Sequence, residues 1–190
     1  SDEMYEHFIY DDLEYTSALS IDALRDKTVV ISGFSKIYSV TGWRLGYAIS
    51  TIEVIDNASS LNDLVYVCPP APLQYGVLKG LRELPKSYYS NVAKEHQIKR
   101  DKFVKALNDV GLKAEYIKGA YYVLADISII EGKNDKEKVI NLLEKIGIAT
   151  VPARAFYHDS KNLNLARFCF SKTSEDLDEA IKRLQLIKDH

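Results

Sequence analysis

The sequence predicts an α/β protein in two parts, and three observations carry that reading. The runs TVVISGF at 28–34 and WRLGYAIS at 43–50 are short, apolar and partly β-branched, the character of strands buried in a sheet. Helical stretches follow them up to residue 83. Strands and helices then alternate to the end of the chain in the pattern of a small α+β module, so the composition of the unit changes near residues 80–90. The division predicted is 1–85 and 86–190.

Residues 52–66 read as a helix, and PPAP at 69–72 ends it because proline lacks a backbone donor and clashes inside a helix. A second helix is predicted over 73–83. From Ser87 to Asn108 a long amphipathic helix places Val92, Phe103 and Leu107 on one side and Lys94, Lys99, Lys102 and Lys105 elsewhere, with Gly111 beyond its end. Those lysines read as a solvated face. AYYVLADI at 120–127 is a strand, 135–146 a helix stopped by Gly147, and 148–152 and NLARFCF at 164–170 are strands. The last helix, 175–188, opens on Thr173-Ser174-Glu175-Asp176, in which a hydroxyl and a carboxylate can satisfy free N–H groups of the first turn.

Composition narrows the function classes. Of 190 residues, 46% are hydrophobic and 27% charged, enough to bury a core, and the net charge of −2 argues against nucleic acid as the main partner. No apolar run approaches the roughly 20 residues of a membrane span. The two cysteines, Cys68 and Cys169, read as small buried apolar residues and fit a reducing, cytoplasmic compartment. The chain opens on Ser1-Asp2-Glu3 and its one methionine is Met4, which suggests a piece of a longer protein.

The chemistry concentrates at Lys36, just past the carboxyl end of the first predicted strand, where ligands of open α/β sheets collect. A lysine that condenses with a carbonyl compound must lose its proton, although free lysine titrates near ~10.4. Nearby positive charge and removal from water both favour that loss. Arg44 supplies charge and a fork of donors suited to a phosphate. Gly42 and Gly46 let backbone come close, and Ser32, Ser35 and Thr41 offer hydroxyls. Lysine beside a phosphate cradle suits pyridoxal phosphate, whose ring nitrogen calls for a carboxylate; Asp2 is the candidate, and Tyr5, one helical turn away, can donate to the ring hydroxyl. Taken singly, each residue has a plainer reading: Lys36 as a solvated loop lysine, Arg44 as half of a surface ion pair, the glycines as turn residues.

The combination resembles a known family. S-D-E-x-Y-E at 1–6, G-F-S-K at 33–36 and T-G-W-R-L-G-Y at 41–47 are similar to the fold-type I aminotransferases of the aspartate aminotransferase superfamily. The resemblance implies that residues 1–85 are the C-terminal part of the large cofactor-binding domain, with its mixed sheet, and 86–190 the small C-terminal domain. It implies that Lys36 forms the internal aldimine, Arg44 holds the cofactor phosphate, Asp2 pairs with the pyridine nitrogen and Tyr5 bonds the ring oxygen. A-R-F-C-F at 166–170 resembles the segment whose arginine grips the substrate α-carboxylate, so Arg167 takes that role. No metal is implied. Amino acid and 2-oxo acid substrates and a homodimeric parent are.

E-H-F-I-Y-D at 6–11, G-A-Y-Y-V-L-A-D-I-S at 119–128 and R-F-C-F-S-K at 167–172 resemble more narrowly the branch of kynurenine, glutamine and methionine aminotransferases, which favours large apolar or aromatic donors. An enzyme of broad or acidic specificity, closer to aspartate aminotransferase, is the alternative. Two departures stand out. Gly33 occupies the place of the family's phosphate-site hydroxyl, leaving Ser35 or Ser32 to substitute, and Arg154 in Val151-Pro152-Ala153-Arg154 reads as an exposed charge or an extra anion contact. The family's glycine-rich phosphate loop and stacking aromatic are not within 1–190, so the chain alone is expected to bind cofactor poorly and turn over little. A carbon–sulfur β-lyase, in which histidine often replaces the residue at Tyr5, and the sensor domain of a transcription regulator remain open on the same scaffold.

Overall fold

The computed structural model describes residues 1–159 and 163–189. The chain divides into two compact units, Ser1–Ala93 and Lys94–His190.

In the first unit, β1 (Val30–Gly33) and β2 (Gly46–Ile49) pair antiparallel, with Val30 opposite Ile49 and Gly33 opposite Gly46. Residues 1–3 run parallel along the other edge of β1. Ile31 N–H donates to Ser1 O at 2.9 Å and Glu3 N–H to Ile31 O at 2.8 Å, with Asp2 bridged to Ile31. Both strands are shorter than the sequence suggested. β1 is buried except for Ile31, whereas all four residues of β2 are exposed, because β2 forms the outer edge of this sheet. The helices are α1 (Asp22–Arg25), α2 (Ile52–Val65) and α3 (Ala71–Glu83). α3 begins two residues before the predicted start. Pro70 is its N-cap and Pro72 lies in the first turn, where a missing N–H breaks no helical bond. Phe8, Tyr10, Val30, Ile37, Leu45 and Val77 form the buried apolar interior of this unit.

α4 (Lys86–Asp109) begins in the first unit and continues in the second, burying Phe103, Val104, Ala106 and Leu107. Of the lysines predicted to face solvent, Lys94, Lys102 and Lys105 are exposed, with Lys105 paired to Asp109 at 2.6 Å and Lys102 to Asp178, whereas Lys99 is half-buried and paired to Glu95. The second unit's sheet joins β3 (Tyr122–Asp126), β4 (Val151–Pro152) and β5 (Leu165–Cys169) in the antiparallel order β3-β5-β4. β5 alternates: Ala166 and Phe168 are buried and Arg167 lies on the opposite face, since successive side chains leave a strand on opposite sides. α5 (Asp135–Asn141) passes into a wide turn at Leu142–Ile146 and stops at Gly147, whose φ of 76° is left-handed. α6 (Ser174–Leu184) is capped by Thr173, whose hydroxyl accepts from Asp176 N–H at 3.1 Å. Of the two cysteines, expected to be buried, Cys68 is exposed in the proline-rich link between α2 and α3 and Cys169 is half-buried.

Candidate active site

The strand register places Asp2 beside Ile31 of β1 and leads the segments carrying Tyr5, Ser35, Lys36 and Arg44 away from or into the sheet at its Gly33–Gly46 end. Residues 1–3 and β1 run in the same direction, so the turn that follows Asp2 reaches the end where β1 leaves for Lys36. β2 runs the other way and enters beside Gly33 at Gly46, so Arg44 is delivered to that same end. Asp2 is exposed, its Oδ1 accepting from Met4 N–H at 3.1 Å; Tyr5 and Lys36 are half-buried and Ser35 is buried. Tyr5 sits in a tight turn, with Phe8 N–H donating to Tyr5 O at 2.8 Å, and its ring meets Phe8 edge-on at 6.0 Å.

Close backbone approach is built into this end. A Cβ on Gly33 would lie 2.8 Å from both Gly46 Cα and Leu45 O, and one on Gly46 would lie 2.8 Å from Ser32 O. Gly42, expected to serve the same purpose, has nothing within 4 Å. Arg44, expected within a strand, instead follows the 3₁₀ turn Thr41–Trp43 in the left-handed region at φ 56°, and its Nη1 donates to Thr41 O at 2.8 Å. Among the described residues no carboxylate pairs with it, so the surface ion pair considered from sequence is not formed.

Aromatic rings anchor the loop between the two strands. Gly76 and Gly80, one helical turn apart on α3, leave room for rings: added Cβ atoms would come within 2.8 Å of Trp43 and 3.3 Å of Tyr38. Tyr38 and Tyr89 hydroxyls meet at 2.6 Å, and Tyr88 OH donates to Ile37 O at 2.8 Å. Burial first, then the bond to Tyr89, pushes the Tyr38 phenol well above its ordinary value, so it stays protonated. The spacing GVLKG was the available signal for this packing, and it has meaning only once the rings are seen.

Ser32 and Ser35 divide the two roles suggested for them. Ser32 is fully enclosed and its hydroxyl is engaged with Glu3 O at 3.2 Å and Glu6 Oε1 at 3.1 Å, where Tyr47 OH also donates at 3.0 Å. Among the described residues Ser35 Oγ has no such partner, which leaves it the open hydroxyl beside Lys36. Glu3 is buried. Burial works to raise its carboxyl, but Ala18 N–H at 3.0 Å and Ser17 Oγ at 3.1 Å, with Tyr15 and Ser1, outweigh that and hold it below the ordinary range.

Arg167 lies in the second unit. Its guanidinium carbon lies over the Tyr122 ring, 4.1 Å from the centroid, and over the Phe156 ring, 4.4 Å from the centroid. Tyr122 is its diagonal neighbour across the β3–β5 pair, on the same face. Among the described residues no carboxylate pairs with Arg167. Arg154 is a different case. The exposed or anion-binding charge expected there is half-buried and ion-paired to Asp135, whose side chain is fully enclosed.

These features match a known family. The model of "Aminotransferase class I and II" fits residues 1–184. The chain belongs to the class I and II aminotransferases. It is 33% identical over 188 residues to an aspartate aminotransferase of Pyrococcus abyssi, covering 98% of this chain and 48% of that one. It is 30% identical over 185 residues to the methionine aminotransferase of Escherichia coli, covering 97% and 48%. A solved methionine aminotransferase of Escherichia coli superposes with a TM-score of 0.92 at 30% identity, over 98% of this chain and 48% of that one. The aromatic aminotransferase of Pyrococcus horikoshii does so at 0.88 and 31%, over 100% and 50%. The chain therefore spans about half the length of the curated relatives it matches. Members of the family work with pyridoxal phosphate. The described helices include none long and apolar enough to cross a membrane, and the described residues include no group of three His, Cys, Asp or Glu able to hold a metal ion.

Proposed function

We propose that this chain supplies the cofactor lysine and the substrate-carboxylate arginine of an aminotransferase that moves an amino group from an α-amino acid to a 2-oxo acid. The observation that supports the reading is the register: Asp2 lies beside Ile31 of β1, and the segments bearing Tyr5, Ser35, Lys36 and Arg44 adjoin the Gly33–Gly46 end of the same sheet. The donor set fits pyridoxal phosphate. Ser35 offers a hydroxyl and Arg44 a guanidinium to a phosphate, Asp2 a carboxylate to a protonated ring nitrogen, and the Gly33–Gly46 approach keeps Cβ atoms out of the space between. When bound, the cofactor supplies the electron sink that lets an amino acid release its α-proton. The Lys36 amine would then take the proton from the α-carbon as a base and, as an acid, give it up on the cofactor side of the substrate nitrogen, so that the amino group can stay with the cofactor. Arg167 orients the substrate by gripping its carboxylate with paired in-plane donors.

On this reading residues 1–85 are the C-terminal part of the large domain and 86–190 the small domain. The whole protein acts as a cytoplasmic homodimer, with aromatic amino acids, methionine or glutamine as donors. The aromatic walls around Arg167 and the methionine and aromatic aminotransferases among the relatives support that donor class. The test is trapping: incubate the chain with pyridoxal phosphate, reduce with borohydride, digest, and map the modified lysines by mass spectrometry. Weak labelling that nevertheless favours Lys36 over the other lysines, and is lost at that position in Lys36→Ala, is the expected result. Labelling scattered over Lys94, Lys99 and the other surface lysines, with no preference for Lys36, would refute a preformed site in this chain.

A further inference from the structure

Asp135 is the fully enclosed carboxylate of the second unit, and a buried charge is costly unless paired. Its partner is Arg154. Asp135 Oδ2 accepts the Arg154 backbone N–H at 3.0 Å, and Oδ1 accepts from the guanidinium. Such a pair adds little net stability compared with apolar residues of the same volume, so its use calls for another account. The geometry supplies one. Arg154 lies in the 3₁₀ turn Ala153–Phe156, which follows β4 directly. β4 pairs Val151 with Arg167, and the turn then carries the Phe156 ring back over the Arg167 guanidinium at 4.4 Å.

Asp135 is itself fixed, as the first residue of α5 behind the Asn134 cap, whose side chain accepts from Glu137 N–H at 3.1 Å. One rigid helix start thus holds both the backbone and the side chain of the turn residue two positions before Phe156. With the Tyr122 and Phe156 rings both packed over the Arg167 guanidinium, its in-plane N–H donors are what it offers to a ligand. A carboxylate must then approach in that plane, where it can accept two bonds.

We infer that Asp135 is a positioning residue for Arg167, acting through Arg154 and the Ala153–Phe156 turn to hold the Phe156 ring on the guanidinium. The inference rests on the reading of Arg167 as the carboxylate anchor, and its test separates the two. The Arg167 Nε–H resonance of the ¹⁵N-labelled chain, shifted by the currents of the two flanking rings, is followed in the wild type, Asp135→Asn, Arg154→Gln and Phe156→Leu, alone and with acetate at constant ionic strength.

In all three variants the resonance should lose its ring-shifted position while the β3 and β5 backbone amides keep theirs, and acetate binding should weaken about tenfold. A merely structural role for Asp135 would not move Arg167 while leaving its strand in place. A resonance that moves in Phe156→Leu but stays put in both Asp135→Asn and Arg154→Gln overturns the inference. Should Asp135→Asn unfold, Arg154→Gln decides, because it removes the ion pair and keeps the backbone bond to Asp135. A wild-type resonance indifferent to acetate would sink the carboxylate reading instead, and the ring shift in the variants would still decide the role of Asp135.

Discussion

Replacing Gly33 by alanine tests whether the close approach of β1 and β2 builds the site. The added methyl would stand 2.8 Å from Gly46 Cα and 2.8 Å from Leu45 O, with Met4 Cε at 3.4 Å. Carbon pairs rest at about 3.5–4.0 Å, so backbone must retreat by roughly 0.7 Å. Two of the three obstacles are main chain, held by the ladder that pairs Gly33 with Gly46 and by Phe34 N–H donating to Leu45 O at 3.2 Å. Forcing atoms into a packed site of this kind costs about 1–3 kcal/mol. With a urea dependence of about 1–3 kcal/mol per molar, the unfolding midpoint should fall by about 1 M.

Fluorescence of Trp43, the one tryptophan, reports this loop directly. Gly42→Ala is the control. It has open space and an ordinary φ, and should leave the midpoint unchanged or raise stability by about 0.4–1 kcal/mol through the unfolded chain. Borohydride labelling of Lys36 should drop with Gly33→Ala and hold with Gly42→Ala. Equal midpoints for the two variants would refute the packing account.

Gly76→Ala sets about 1 kcal/mol of helix propensity against a clash with the Trp43 ring at 2.8 Å, and the ring should lose: a net destabilisation of about 1 kcal/mol with a shifted Trp43 emission maximum. Thr173→Ala removes the N-cap of α6 and should cost about 1 kcal/mol in urea unfolding, with Thr173→Ser close to wild type. The Glu3 carboxyl lies below its ordinary value of 4.5 in the folded chain, so the unfolded chain binds that proton more tightly and the stabilisation is present above the ordinary value. Glu3→Gln should therefore be less stable than wild type at pH 7, the gap closing as pH falls through 4.5 and below; a gap constant from pH 7 to pH 3 would contradict this.

What could be read from the sequence was what side-chain pattern encodes. The apolar run NLARFCF gave β5, and Thr173 marked the start of α6. The proposed site residues come from a motif. Their gathering was not visible, because it depends on Asp2 lying beside Ile31, a backbone pairing made by a three-residue polar segment with no apolar pattern to announce it. The early start of α3 was missed because Pro70 and Pro72 act by position, as cap and first-turn residue, while the same prolines read as a stop. Asp135, Lys138 and Arg100 look like surface charges in the sequence, yet all three are buried. Lys138 illustrates the reason: its Nζ donates to Ser128 O at 2.7 Å and Ile130 O at 2.8 Å, partners set by a turn rather than by composition.

Arg44 ties these threads together. A left-handed backbone at a residue with a Cβ costs about 1–2 kcal/mol, and glycine would adopt it freely. The chain nevertheless spends its glycines at 42 and 46 on either side. Gly46 is required where it stands by the approach of Ser32 O, and its neighbour Leu45 is buried. Trp43 is fixed against Gly76. Between an anchored ring and a buried leucine, the backbone at 44 must turn sharply, and the left-handed conformation sends the arginine outward, where its guanidinium folds back onto Thr41 O. Glycine there would relieve the strain and lose the charge. An arginine rather than a glycine at this strained position leaves an exposed fork of donors at the end of the β1–β2 loop, which is consistent with the phosphate contact proposed for Arg44.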